Sequence, residues 1–70
     1  MKILDLHGKK HEEIEVLVEN FVLFNDCPLE IITGNSVIMQ KIVKSVLEKY
    51  EFHYSYSNDL NLGSILITDY

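Results

Sequence analysis

A chain of 70 residues has room for one domain with a modest core, and an apolar fraction of 47% is typical of a folded rather than a disordered chain. The formal net charge is −5 and all six basic residues are lysines, which excludes strong, non-specific nucleic-acid binding, since such binding depends on neutralising phosphates. No apolar run is long enough to span a bilayer and no signal-peptide pattern opens the chain, so we expect one cytoplasmic domain over residues 1–70 that does not bind membranes.

The first predicted element is a short apolar strand, ILDL, that a glycine turn at Gly8 closes. Its alternation predicts the leucines on one face and Asp5 and His7 together on the other. A histidine exchanges protons near neutral pH, and an adjacent aspartate can orient it, so the pair indicates acid–base chemistry. The alternative is that both residues have a structural role. His7 then forms a hydrogen bond with the backbone at the turn, and Asp5 accepts hydrogen bonds from amides of the loop.

An amphipathic helix is predicted next, over about residues 11–25. Apolar residues recur there at three- and four-residue steps, which predicts a buried stripe of Ile14, Leu17, Val18, Phe21 and Phe24. Val16 and Leu23 fall nearly opposite that stripe, among glutamates. We therefore predict that they mark a surface for homo-oligomer formation.

The sequence NDCP ends this helix, and a second strand over residues 29–33 leads to Gly34. A second helix is predicted over residues 37–50, with Asn35 or Ser36 as its cap. Its apolar side consists of Met39, Ile42, Val43, Val46 and Leu47.

The last third of the chain predicts two strands, over residues 52–57 and 64–68, with a turn over residues 58–63. Alternation places Tyr54 and Tyr56 on one face, and we expect them to pack onto the helices. His53 then faces the opposite way.

The predicted order is βαβαββ, and right-handed crossovers make the first two strands parallel neighbours. The expected fold is an α/β two-layer sandwich: a mixed four-stranded sheet with two helices on one face. The carboxyl ends of parallel strands lie side by side, so His7 and Gly8 should lie next to the segment TGNS, residues 33–36. A crevice at this edge, beside a helix N-terminus, is suited to an anion such as phosphate.

These residues resemble a known family. The motif LDLHG, followed after one helix by a strand ending in IITG, is similar to the paired motifs of the small MutS-related (Smr) domain, and the likeness extends over essentially the whole chain. It implies a fold like the C-terminal domain of translation initiation factor three, and DNA or RNA as partner. It also implies nicking-endonuclease or endoribonuclease activity in DNA repair or recombination. Asp5, His7 and Gly8 match the first motif, and Thr33 and Gly34 match the second.

The first hypothesis is a free-standing Smr-like domain that binds nucleic acid weakly and salt-sensitively and hydrolyses phosphodiesters. His7 and Asp5 are its catalytic candidates. Its candidates for phosphate binding are Gly8, Lys9, Lys10, Thr33, Gly34, Asn35 and Ser36. No metal ligands are assigned: Asp5 is a solitary carboxylate, although a hydrated Mg or Mn ion is a common source of charge stabilisation in such hydrolysis.

The second hypothesis is a non-catalytic interaction module on the same scaffold. Ser36 replaces the second glycine of the family's TGxG-type motif, and Asn35 stands where lysine is common. A backbone without a side chain approaches phosphate more closely, so these two residues favour weaker phosphate binding. The acidic balance and the absence of arginine also support this hypothesis.

Overall fold

The computed structural model of the protein describes residues 1–58 and 61–69. Its elements are β1 (Lys2–Asp5), α1 (His11–Phe24), β2 (Leu29–Ile32), α2 (Val37–Lys49), β3 (His53–Asn58) and β4 (Asn61–Asp69). The predicted order βαβαββ is confirmed. The last strand begins three residues earlier than expected, because Asn58 pairs with Asn61; of the predicted turn, Asp59 and Leu60 lie outside the described residues.

The four strands form one mixed sheet in the order β1-β2-β4-β3. β1 and β2 are parallel, with Leu4 opposite Ile31, as the crossover rule predicts. β4 lies between β2 and β3 and is antiparallel to both. β1 is therefore an edge strand, whereas β2 is bonded on both sides.

The core lies between the two helices and one face of the sheet, which confirms the two-layer sandwich. The sheet contributes Leu6, Leu29, Ile31, Ile65 and Ile67, all fully buried. The helices contribute Ile14, Val18 and Val22 from α1 and Met39, Val43, Val46 and Leu47 from α2. Each fully buried side chain of this size stabilises the fold by roughly 1.5 to 3 kcal/mol before entropy is counted.

The prediction that Phe24 belongs to the core is wrong. Phe24 is 80% exposed, and Val22 is the last buried residue of α1. Val22 continues the four-residue steps of Ile14 and Val18, whereas Phe24 is rotated away from them and ends the helix. Asn25 closes the helix with its side-chain amide, which donates to the carbonyl of Phe21 at 2.8 Å. Phe24 is therefore the last residue of the helix, and its side chain faces outward.

The tyrosines of β3 pack against α2, as expected. The Tyr54 hydroxyl donates to Glu48 Oε2 at 2.8 Å, and Lys44 Nζ lies 4.7 Å from the centre of the Tyr56 ring. Burial, followed by the hydrogen bond to Glu48, raises the pKa of Tyr54 to about 12.

A polar contact joins the two helices. Glu19 Oε2 accepts from the Tyr50 hydroxyl at 2.7 Å and lies 3.3 Å from Lys49 Nζ. The hydrogen bond from Tyr50, followed by that from Lys49, lowers the pKa of Glu19. In the part of the chain that the structure describes, neither helix is long and apolar enough to cross a membrane.

Candidate functional site

The two glycine turns lie side by side at the carboxyl edge of β1 and β2. The N–H of Leu6 donates to the carbonyl of Ile32 at 2.9 Å, which continues the parallel pairing one residue beyond β1. His7 and Thr33 are the residues that follow Leu6 and Ile32. The juxtaposition that the sequence predicts is therefore present.

Both turns need glycine for the same reason. Gly8 has φ +79° and Gly34 has φ +66°, in the left-handed region that disfavours residues with a Cβ. No heavy atom lies within 4 Å of a Cβ built at either position. The requirement is thus one of backbone conformation and not of space.

In the first turn, the Asp5 side chain accepts a hydrogen bond from the backbone. Its Oδ1 accepts the N–H of His7 at 2.9 Å, and the N–H of Lys9 closes the turn by donating to the carbonyl of Leu6 at 3.0 Å. Among the described residues, no hydrogen bond joins Asp5 to the His7 imidazole. This is the geometry of the structural alternative for Asp5, while the His7 side chain is exposed.

In the second turn, the donors are directed at β4. The N–H groups of Thr33 and Gly34 both donate to the carbonyl of Gly63, at 2.7 and 2.9 Å. The Thr33 hydroxyl lies 3.1 Å from the same carbonyl and 3.0 Å from that of Gly34, and the residue is 3% exposed. The groups expected to face phosphate are therefore engaged within the fold.

Gly63 is a site neighbour that the sequence did not reveal. It falls in the predicted turn before the last strand, and only the position of β4 beside β2 brings its carbonyl to Thr33. A glycine at the start of a strand was the one signal available, and it does not identify its partner.

Ser36 caps α2, as predicted. Its Oγ accepts the N–H of Met39 at 3.2 Å. Gln40 supports the same turn, because its side-chain amide donates to the carbonyl of Gly34 at 3.2 Å. Within residues 1–58 and 61–69, no acceptor takes the N–H of Val37 or Ile38. These two amides begin α2 and direct the positive end of its dipole at the edge where the two glycine turns meet. We call this edge, residues 7–10 and 33–38, the rim.

The lysines of the first turn differ from those of α2. Lys9 and Lys10 are exposed beside His7; the backbone N–H of Lys10 donates to Glu13 Oε2 at 3.2 Å as α1 begins. On α2, Lys44 lies over Tyr56 and Lys49 contacts Glu19. The lysines free to reach an anion at the rim are Lys9 and Lys10.

The described residues of the rim form no multi-ligand metal cluster. In the described part of the chain, no three His, Cys, Asp or Glu side chains converge as ligands. Asp5 is the carboxylate of the first turn, and one of its oxygens is taken by the His7 N–H. The described residues beside the rim therefore offer Asp5 as a solitary carboxylate with one free oxygen.

In comparisons with known proteins, no family model matches the chain, and neither a curated protein nor a solved structure matches it. The resemblance to the Smr domain thus rests on the two motifs and the order of elements. The fold itself is established independently by the sheet topology.

A shallow hollow of about 410 Å³ lies at the opposite end of the sheet, away from the glycine turns. It is lined by Met1, Lys2 and residues 24–28. These residues precede β1, begin it, or connect α1 to β2. The hollow therefore belongs to a different surface from the rim.

Proposed function

We propose that the protein is an Smr-like domain that binds DNA or RNA through the rim formed by its two glycine turns. The observation that carries this proposal is the hydrogen bond of 2.9 Å from Leu6 N to Ile32 O, which joins the turns. It gives one surface containing an exposed histidine, two exposed lysines and the N-terminus of α2. The cytoplasmic location that the sequence predicts is part of this proposal.

Phosphate binding at this rim uses fewer groups than the motif suggests. The N–H groups of Val37 and Ile38 at the start of α2 have no acceptor among the described residues, and Lys9 and Lys10 add charge. Thr33 and Gly34 hold the turn in place through Gly63 instead. Gly8 and Gly34 allow the sharp bends, and Asn35 and Ser36 connect the turn to the helix.

For hydrolysis, the exposed imidazole of His7 acts as general acid or base on a phosphodiester bound at the rim. Asp5 positions His7 by accepting its backbone N–H. Lys9 and the amides of Val37 and Ile38 stabilise the charge that develops on the phosphoryl oxygens. Because the charge compensation is small, the activity is a weak nicking endonuclease or endoribonuclease.

Binding can be tested with labelled single- and double-stranded DNA and RNA, titrated by fluorescence anisotropy at several salt concentrations. Two lysine contacts predict a slope of log K against log[salt] of about −1.4 for single strands. Replacing Lys9 and Lys10 by glutamine should bring the slope close to zero. Lys2→Gln, an exposed lysine at the opposite end of β1, is the matched control and should change little. A lack of salt-dependent binding to every oligonucleotide would remove the proposal.

A second candidate function is a non-catalytic interaction module on the same scaffold. It is favoured by the engagement of Thr33 and Gly34 with Gly63, which removes phosphate donors from the second motif. It is also favoured by Val16 and Leu23, which are 58% and 50% exposed opposite the buried stripe of α1. Homo-oligomer formation through these two residues remains a prediction. Absence of nucleic-acid binding together with binding of a protein partner would select this function.

A further inference from the structure

The outer face of α1 carries apolar side chains that the core does not use. Val16, Leu23 and Phe24 are 58%, 50% and 80% exposed. Val16 and Leu23 are seven residues apart and so share one angular position on the helix, separated by roughly 10 Å along its axis. We refer to these three residues as the apolar strip.

The apolar strip leads into the hollow at the end of α1. Phe24 belongs to both, and Met1, Cys27 and Pro28 add further apolar surface to a volume of about 410 Å³. A hollow of this size accepts one large aliphatic or aromatic side chain. Phe24 thus connects the carboxyl-terminal end of the strip to the hollow.

The same helix is strongly acidic over its first nine residues. It carries Glu12, Glu13, Glu15 and Glu19. Lys49, from α2, is the cation that contacts them, through Glu19 at 3.3 Å. Glu12, Glu13 and Glu15 therefore precede the strip and Glu19 lies between Val16 and Leu23, while the hollow adjoins the strip at its other end.

This charge pattern selects the occupant. Two copies of a chain with a net charge of −5 repel one another, and a second copy whose helix packed in parallel on the strip would also bring two sets of four glutamates together. A cationic partner gains both contacts at once: its apolar side chains cover the strip, and its basic groups meet the glutamates. Lysine and arginine of another protein supply the complementary charge.

We propose that the outer face of α1 is the docking site for a cationic amphipathic helix of a partner protein. From Glu12 to Leu23 the face is roughly 17 Å long, which a helix of about three turns covers. One end of that helix carries the basic residues, and the other end places a large apolar side chain in the hollow. This inference does not depend on the proposed binding of nucleic acid at the opposite edge.

The test uses a labelled synthetic helical peptide of about four turns, with leucines on one face and lysines at one end. Anisotropy should show saturable binding that weakens with added salt. A peptide of the same length with glutamates in place of the lysines should bind at least about tenfold more weakly. Equal binding of the two peptides would overturn the proposal.

Two protein variants locate the contact. Val16→Ser with Leu23→Ser should weaken binding at least about tenfold, since central apolar contacts dominate such interfaces. Val37→Ser with Ile38→Ser is the matched control, because those side chains are 62% and 57% exposed on α2 and lie outside the proposed contact. It should bind as the native protein does. Circular dichroism confirms that all variants remain folded, and substitutions at exposed positions are expected to preserve the fold.

Three further outcomes decide between occupants. Glu12→Gln with Glu15→Gln should weaken the native affinity and reduce its salt dependence. Sedimentation velocity should show a monomer; a dimer that Leu23→Ser dissociates would overturn the proposal in favour of a second copy. Oligonucleotide binding by the Val16 and Leu23 variant should be unchanged, so failure here is distinct from failure at the rim.

Discussion

The two glycine turns follow neighbouring parallel strands, and yet their polar groups are used differently. The first turn follows the edge strand β1 and is held by its own atoms: Asp5 accepts from His7, and Leu6 accepts from Lys9. The second turn follows β2, which is bonded on both sides, and Gly63 of β4 takes its donors. A turn after an edge strand keeps its side chains available, whereas a turn after an inner strand is drawn into the sheet.

The largest expected difference between the turns is in catalysis. If His7 exchanges protons with a phosphodiester, His7→Ala should reduce nicking of a supercoiled plasmid at least about 100-fold. His53→Ala is the control, because this exposed histidine lies on β3, at the other edge of the sheet. Reactions are run with Mg, with Mn and with a chelator. Equal nicking by native protein and His7→Ala would assign no chemical role to the first turn.

The next difference is in stability. Thr33→Val removes the buried hydroxyl that lies 3.1 Å from the Gly63 carbonyl, and we expect the free energy of unfolding to fall by about 1 to 2 kcal/mol. The control is Asn35→Ala in the same turn, at an exposed position, with a change within about 0.5 kcal/mol. Urea denaturation measures both. A Thr33→Val protein as stable as the native one would show that the second turn is not anchored by this hydroxyl.

The two turns should lose similar stability when each glycine is replaced by alanine. Gly8→Ala and Gly34→Ala both place a Cβ at positive φ in open space, so each should cost about 1 to 2 kcal/mol. The two losses should agree closely, because the strain is the same. A much larger loss at Gly34 would mean that distortion of its turn also breaks the bonds to Gly63.

The smallest effect near neutral pH comes from β3, away from both turns. The pKa of Tyr54 is raised to about 12, above the value near 10 of an unfolded tyrosine. Its stabilising contribution is therefore complete below about pH 10 and is lost as the pH rises from 10 towards 12. Tyr54→Phe should flatten stability over this range in alkaline unfolding curves. An unchanged alkaline slope would contradict the raised pKa of Tyr54.

Local pattern predicted most of the fold. Alternation gave the faces of β1 and of Tyr54 and Tyr56, and the Ser36 cap followed from its position before an apolar periodic segment. Phe24 was misassigned because it lies three residues after Phe21, at the edge of the stripe, where the last residue of α1 faces outward. Three- and four-residue steps fit Phe24 as well as Val22, and only packing distinguishes them.

The candidate site was predictable in position but not in bonding. Parallel strands required the two turns to meet, which the sequence could provide. The use of the Thr33 and Gly34 donors depends on Gly63, about thirty residues away, and on β4 entering the sheet between β2 and β3. Such a long-range pairing has no local signal. Likewise, Asp5 faces the same side as His7, but its choice of the backbone N–H over the imidazole is a matter of geometry within the turn.

In the proposed function, the first turn and the start of α2 contact nucleic acid, while Thr33 and Gly34 serve the fold. The most direct test is a two-dimensional ¹⁵N–¹H NMR titration of the labelled protein with a single-stranded oligonucleotide. We predict shifts of the backbone amide signals of His7, Lys9, Val37 and Ile38, with those of Thr33 and Gly34 nearly unmoved. Shifts confined to the outer face of α1, or largest at Thr33 and Gly34, would contradict the account.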